Sequence, residues 1–234
     1  MFQILLTGLM AFGAGIRTEV QVNICESSQE LSRKLELQTW TQEETEESYL
    51  IENKNLELYN NSWVFKARIN ASEDTVDIIL KHNQADPTAA MADSRKCEYD
   101  LHGTHKKYAC KIENKISLAE FNTLQNTKNF QAMLSNEQQA WLKTENQPLP
   151  SDLEITTAFT DQGYTLKTKD LKLNLGISTN TKRTEFTEIS TRSKSTEDQS
   201  TQQKLLAYLK TKNITLCADQ GPLLTKLKLQ SHFN

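Results

Sequence analysis

Trp63-Val64-Phe65-Lys66-Ala67-Arg68-Ile69-Asn70 and, after four polar residues, Val76-Asp77-Ile78-Ile79-Leu80-Lys81-His82 are the stretches from which the fold can be read. Both alternate with period two, the spacing of strands that bury one face, and Ala71-Ser72-Glu73-Asp74 between them is a turn, so the two runs pair as a hairpin. Trp63, Phe65, Ala67 and Ile69 share one face of the first strand; Val76, Ile78 and Leu80 share one face of the second. The opposite face carries Lys66, Arg68 and Lys81. An ordinary half-buried sheet would turn those cations to water.

On the N-terminal side, Thr18 to Ile24 is another alternating strand, with Glu19, Gln21 and Asn23 on one face, and residues 26–38 change to helical spacing behind Ser27 and Ser28. An acidic run, 43–47, leads into Ser48-Tyr49-Leu50-Ile51-Glu52 and a turn at 59–62. On the C-terminal side, Cys97–Leu101 and Tyr108–Ile112 read as short strands. A helical insertion then runs over about 117–147, in which Ser135 and Gln138 have the spacing of a capping box. The Thr- and Ser-rich region from 153 to 191 reads as four strands: 153–159, 164–169, 171–177 and 184–191. A helix over 201–212 and a last alternating strand or edge segment over 223–230 complete the chain.

The sequence has 234 residues, 37% hydrophobic and 24% charged, with 27 basic and 30 acidic side chains and a net charge of -3. A chain of that length and polarity folds as one domain with its own core, and its near-balanced charge sets up no field that recruits nucleic acid or anionic membrane. No Gly-rich phosphate loop and no nucleophilic triad is present in the sequence. Residues 3–14 form a short apolar run ending in small residues, the pattern of a signal peptide over about 1–15, too short to span a bilayer. The four cysteines agree with an oxidising compartment, and a secreted or periplasmic location is expected. Cys97 and Cys110 flank a polar hairpin tip and are easily bridged, which leaves Cys25 and Cys217; four cysteines nonetheless permit three pairings. A zinc site using His82, His102 and His105 with Cys97 and Cys110 competes with the disulfide reading, although no paired-ligand spacing supports it.

The order strand, helix, acidic connector, strand pair, helical insertion, strands, helix, short strand resembles the CYTH, or triphosphate tunnel, superfamily over most of residues 18–230. Glu19-Val20-Gln21-Val22-Asn23 stands where that family opens with an E-x-E-x-K strand, Lys66-Ala67-Arg68 where it has R-x-R, Ile79-Leu80-Lys81 where it has T-x-K, and Thr225-Lys226 where it has a late Ser-Lys. Lys96-Cys97-Glu98-Tyr99-Asp100 is similar to the family's acidic strand, and Phe186-Thr187-Glu188-Ile189-Ser190 to its F-x-E-I-E strand. The resemblance implies an α+β fold built on an antiparallel β-barrel of about eight strands with flanking helices. It implies a lumen in which Lys66, Arg68, Lys81 and Lys226 bind an anionic ligand and Glu19, Glu98, Asp100 and Glu188 are the metal ligands. Gln21 and Asn23 replace anionic oxygens with neutral ones, which are weaker ligands for hard cations. The expected function is therefore an exported domain that holds a small phosphorylated or sulfated anion without efficient turnover, needing no cofactor. The alternatives are a divergent triphosphatase or related phosphohydrolase using Mg²⁺ or Mn²⁺, and a secreted or envelope interaction protein with a vestigial tunnel. No nucleic-acid partner and no transmembrane segment is expected.

Overall fold

The computed structural model describes residues 16–43, 45–84, 95–220 and 223–233. The stretch read as a signal peptide, about 1–15, lies outside the described residues.

Eleven strands form one sheet: β1 (Arg17–Ile24), β2 (Thr41–Gln42), β3 (Glu46–Glu52), β4 (Trp63–Asn70), β5 (Thr75–Gln84), β6 (Lys96–His102), β7 (His105–Ser117), β8 (Glu154–Ile155), β9 (Phe159–Lys167), β10 (Lys172–Asn180) and β11 (Glu185–Lys194). The sheet order runs β9-β10-β11-β1-β6-β7-β5-β4-β3, and β3 pairs back onto β9, so nine strands close a barrel. The short β2 and β8 attach to β9 and β3. All pairs in the ring are antiparallel except β1 with β6, which is parallel. The ring thus holds nine strands against the eight expected, with one parallel pair. Closure removes the exposed edges that an open sheet of this length would leave.

The apolar core lies outside the barrel wall. Trp63, Phe65 and Ala67 of β4 and Val76, Ile78 and Leu80 of β5 are buried against Phe121, Phe130, Met133, Trp141 and Leu142 of the helical insertion, α3 (Leu118–Asn126), α4 (Phe130–Met133) and α5 (Asn136–Thr144). On the other side Val20, Val22, Leu173, Leu175 and Ile189 pack against Leu31 and Leu35 of α1 (Ser28–Leu35) and Leu205 and Leu209 of α6 (Asp198–Thr211). With the apolar faces covered by helices, strand alternation sends the polar faces inward. The cations of the first hairpin therefore face a lumen rather than bulk water.

Local signals in the insertion hold in the structure. Ser135 and Gln138 form the capping box at α5, and the Gln138 amide also donates to the carbonyls of Ile78 and Ile112, 2.9 Å each, fastening the helix to two strands. Two segments depart from the sequence reading. The two strands read over 153–159 and 164–169 are one strand, β9, preceded by the two-residue β8; Asp161 and Gly163 lie inside it rather than in a turn. The C-terminal segment is a helix, α7 (Leu223–Phe233), not a strand. Its Leu, Lys and Gln residues are helix formers, and closure of the barrel through β3 and β9 leaves no ring edge for another strand.

The cysteines pair as Cys25–Cys217 and Cys97–Cys110. Cys97 and Cys110 sit directly opposite one another on β6 and β7. All four are consumed, so the zinc reading loses its thiolates, and His82 is stacked on Trp63 instead, ring centroids 4.1 Å apart. Trp40, Trp63 and Trp141 are all buried. No helix among the described residues is long and apolar enough to cross a membrane.

Candidate functional site: the barrel lumen

Inside the barrel a cavity of about 440 Å³ is lined by Gln21, Ser48, Lys66, Lys81, Asp100, His102, Glu188 and Lys228, with Tyr59, Asn60, Lys107 and Thr225 among the remaining lining residues. This volume is in the range of small-molecule sites, about 300–1,000 Å³. The short helix α2 (Glu57–Asn60), which carries Tyr59 and Asn60, is held by the buried Glu52 carboxylate, which accepts the backbone N–H groups of Asn53, Leu58 and Tyr59 at 2.7–3.1 Å.

Lys66 projects inward from β4 and reaches Asp161 Oδ2 at 3.3 Å. Lys228, from α7, reaches Asp161 Oδ1 at 3.2 Å and Ser178 Oγ at 2.8 Å, with its ammonium 4.8 Å from the Phe159 ring centroid. Two lysines thus share one carboxylate, which also accepts from the hydroxyls of Ser48 and Ser178. Burial opposes ionisation of Asp161, but Lys66, Lys228 and the two hydroxyls outweigh it and hold its carboxyl well below the usual range. Burial, partly offset by Asp161, brings Lys228 down to about 8.

Lys81 bonds Asp100 Oδ2 at 2.5 Å. Arg68 is neutralised by Asp77 at 2.9 Å and Glu46 at 3.6 Å and does not line the cavity. Lys226 is exposed. The cation that the C-terminal segment brings into the lumen is Lys228, because helical spacing turns position 228 inward where a strand would have been read from position 226.

The carboxylates of Glu19, Glu98 and Asp100 converge, with one oxygen from each lying within 4.8 Å of the others. Glu19 accepts from Ser190 Oγ at 3.1 Å, and among the described residues Glu98 has only a distant ion pair, 3.8 Å, to Arg192. Burial and then the Glu19 charge raise the Glu98 carboxyl. Glu188 stands opposite Asn23 on β1. Enclosed by the wall and open only to the lumen, it is pushed up to about 8, first by burial and then by Glu19. Asp100 is 5% exposed and its Oδ1 has no hydrogen-bond partner among the described residues. Three converging carboxylates, one with an unused buried oxygen, suit a hard divalent cation that takes oxygen ligands.

Sequence reasoning did not find Asp161, Lys228, Ser48 or Ser178, and it weighed His102 only as a zinc ligand. Asp161 lay in a segment read as the gap between two strands, and Lys228 in a segment given the wrong period. His102 is 8% exposed, and burial lowers it to about 4, so its ring is neutral at pH 7.

No family model and no curated protein matches the sequence. Solved structures match across nearly the whole chain. A putative adenylyl cyclase from Hippeastrum, described as having a dominant triphosphatase activity, superposes with a TM-score of 0.62 at 12% identity, covering 91% of this chain and 94% of its own. A putative adenylate cyclase from Bacillus halodurans gives 0.61 at 14% identity, covering 89% and 97%. At these identities the likeness speaks for the fold alone. The chain therefore has the CYTH-type triphosphate tunnel fold, in a divergent form.

Proposed function

We propose that the protein binds a small phosphorylated or sulfated anion in its tunnel. The observation that carries this reading is the pairing of Lys66 and Lys228 with a single carboxylate, Asp161, beside a cavity of about 440 Å³. Lys81 is balanced by Asp100, and Lys107 adds a cation at the rim. Glu188, protonated over most of its population at pH 7, cancels little. This end of the tunnel is thus left with positive charge in excess. In a confined site, lysine ammonium groups give an anion charge-assisted hydrogen bonds of about 1.5–3 kcal/mol each. Two disulfides accord with an oxidising, secreted or periplasmic setting for such a binding protein.

Isothermal titration with inorganic triphosphate, phosphate and sulfate at pH 7 tests it. Lys66→Ala and Lys228→Met are expected to weaken binding about tenfold to a hundredfold. Arg68→Ala, whose cation is already neutralised outside the cavity, is expected to leave binding unchanged. Absence of binding by the wild-type protein, or equal binding by all three variants, refutes the proposal.

The convergence of Glu19, Glu98 and Asp100 favours a second reading, metal-dependent hydrolysis of a triphosphate. Those three residues would hold Mg²⁺ or Mn²⁺, which when bound offsets phosphoryl charge and acidifies water. Lys66, Lys81 and Lys228 would orient the phosphates. Metal-dependent release of phosphate from triphosphate that is lost in Glu98→Gln supports this reading; no release with either ion refutes it.

A further inference from the structure

The barrel wall carries a second group of cations at the end away from α7. Asp161, which Lys228 of α7 reaches, stands near the start of β9, and Lys167 is the last residue of that strand, about 20 Å further along. Lys167 stands directly opposite Lys172 across β9 and β10, and Arg17 directly opposite Lys194 across β1 and β11. Arg192, opposite Glu19, lies between the two pairs. Leu166 and Leu173, beside Lys167 and Lys172 in their strands, pack in the outer core, and Thr18 and Thr191 are buried. Alternation therefore turns all five cations to the inner face, where each is exposed. None of them lines the cavity of about 440 Å³.

Among the described residues, Arg17, Lys167, Lys172 and Lys194 have no acidic partner within ion-pair distance, and Arg192 has only Glu98, at 3.8 Å. At the same end of the barrel Lys96, Lys111 and Lys115 of β6 and β7 are paired with Glu113 and Glu73. Like charges directly opposite one another on a sheet are destabilising. Lysines guard the edges of open sheets, but β9, β10, β11 and β1 are members of a closed ring and have no edge to guard. In a chain of net charge -3, an unpaired basic arc across four adjacent strands, about 14 Å from first to last, marks a surface for an anionic partner.

The surroundings of the arc restrict that partner. The cations look onto a concave wall, which a flexible single chain can follow and a flat bilayer cannot. The large apolar side chains exposed among the described residues, Leu206 and Leu227, lie on α6 and α7, so no apolar anchor for a membrane stands beside the arc. The inner-face rings of these strands, Phe159 and Phe186, are at the α7 end, which leaves the cations without a platform for stacking nucleic-acid bases. Deeper along the wall Thr165 faces Asn174, and Asn174 faces Ser190. Beyond them a side chain at Gly176 would meet nothing within 4 Å. Short hydroxyl and amide groups beside open space suit a chain rich in hydroxyls and offer no pocket to an apolar peptide side chain.

We infer that this arc docks a linear acidic polysaccharide, with its sulfate or carboxylate groups on Arg17, Lys167, Lys172 and Lys194 and its hydroxyls against Thr165, Asn174 and Ser190. The surface is separate from the anion site proposed above and does not depend on it.

Titration of the full chain at pH 7 with heparin, a sulfated chain, and with alginate, a carboxylated one, tests the inference. Binding of at least one is expected, and raising salt from about 50 to about 200 mM is expected to weaken it about tenfold to a hundredfold, as counterion release at four contacts requires. Lys167→Gln/Lys172→Gln and Arg17→Gln/Lys194→Gln should each lower the affinity about threefold to thirtyfold. Lys54→Gln/Lys143→Gln, which removes the same charge from exposed positions elsewhere, should leave it unchanged. Each arc variant relieves a like-charge pair, so its unfolding temperature should equal or exceed that of the wild type. A lower unfolding temperature would mean that the cations serve the fold, and overturns the inference. So does equal affinity in the arc and control variants, absence of binding to both polysaccharides, or tighter binding of poly-glutamate, single-stranded DNA or phosphatidylserine vesicles.

Discussion

Replacing Glu188 with glutamine removes an ionisable carboxyl and changes little else, and the structure fixes both the sign and the size of the effect. Glu188 is raised from 4.5 to about 8 by burial and by Glu19. A folded-state value above the unfolded one means that the native state binds more protons between those limits, so stability is fully present below about pH 4.5 and is lost as pH rises through about 8. At about 1.4 kcal/mol per tenfold change in proton affinity, the ceiling on that loss is about 5 kcal/mol. Water in the tunnel screens a carboxylate that is open to it, which brings the expected loss to about 2–3 kcal/mol. His102, lowered to about 4, and Lys228, lowered to about 8, impose pH dependences of opposite sign. The difference between wild type and Glu188→Gln cancels the His102 dependence and the part of the Lys228 dependence that does not come from Glu188 itself. Urea unfolding of the two proteins from about pH 4 to pH 9, with matching m values, should show nearly equal stability at the acid end and a variant more stable by about 2–3 kcal/mol at the alkaline end. A difference that stays flat across the range refutes the account of an enclosed, charge-crowded lumen. Millimolar Mg²⁺ should shrink the alkaline difference if Glu19, Glu98 and Asp100 hold the ion, because a nearby cation favours ionised Glu188.

Asp161→Asn leaves Lys66 and Lys228 without their shared counter-charge and should cost about 3 kcal/mol at pH 7 by chemical denaturation. In the wild-type protein the Asp161 contribution is present above its ordinary value of 3.8 and fades as pH falls toward its lower folded value. Loss of Cys25–Cys217, which joins positions 192 apart, should cost up to about 5 kcal/mol by the chain-entropy relation, against about 3 kcal/mol for Cys97–Cys110, 13 apart. Equal losses in the two double-serine variants would contradict that ordering. Ser135→Ala opens the capping box of α5 and should lower stability by about 1 kcal/mol, read from the denaturation midpoint.

The two-residue alternation of 63–82 was enough to place the hairpin and the shared face of Lys66, Arg68 and Lys81, since strand period is a local property of the chain. The Ser135 and Gln138 cap was legible for the same reason: a cap is made by residues three apart. The carboxylates Glu19, Glu98, Asp100 and Glu188 were legible only through resemblance; the structure brings the first three within 4.8 Å of one another and places Asp100 and Glu188 in the cavity lining. Arg68 and Lys226 shared the patterns of lumen residues, yet Asp77 and Glu46 neutralise the first and helical geometry turns the second outward.

What the sequence determined alone was therefore the identity of the strands that carry charge and the face on which each charge sits. The tertiary structure decided which way that face looks and which charges meet. Closure through β3 and β9 turned a solvent face into a lumen, and it placed Asp161 and Lys228, 67 positions apart, beside Lys66. Those contacts depend on barrel closure and helix docking between distant segments, and periodicity within one segment carries no information about either.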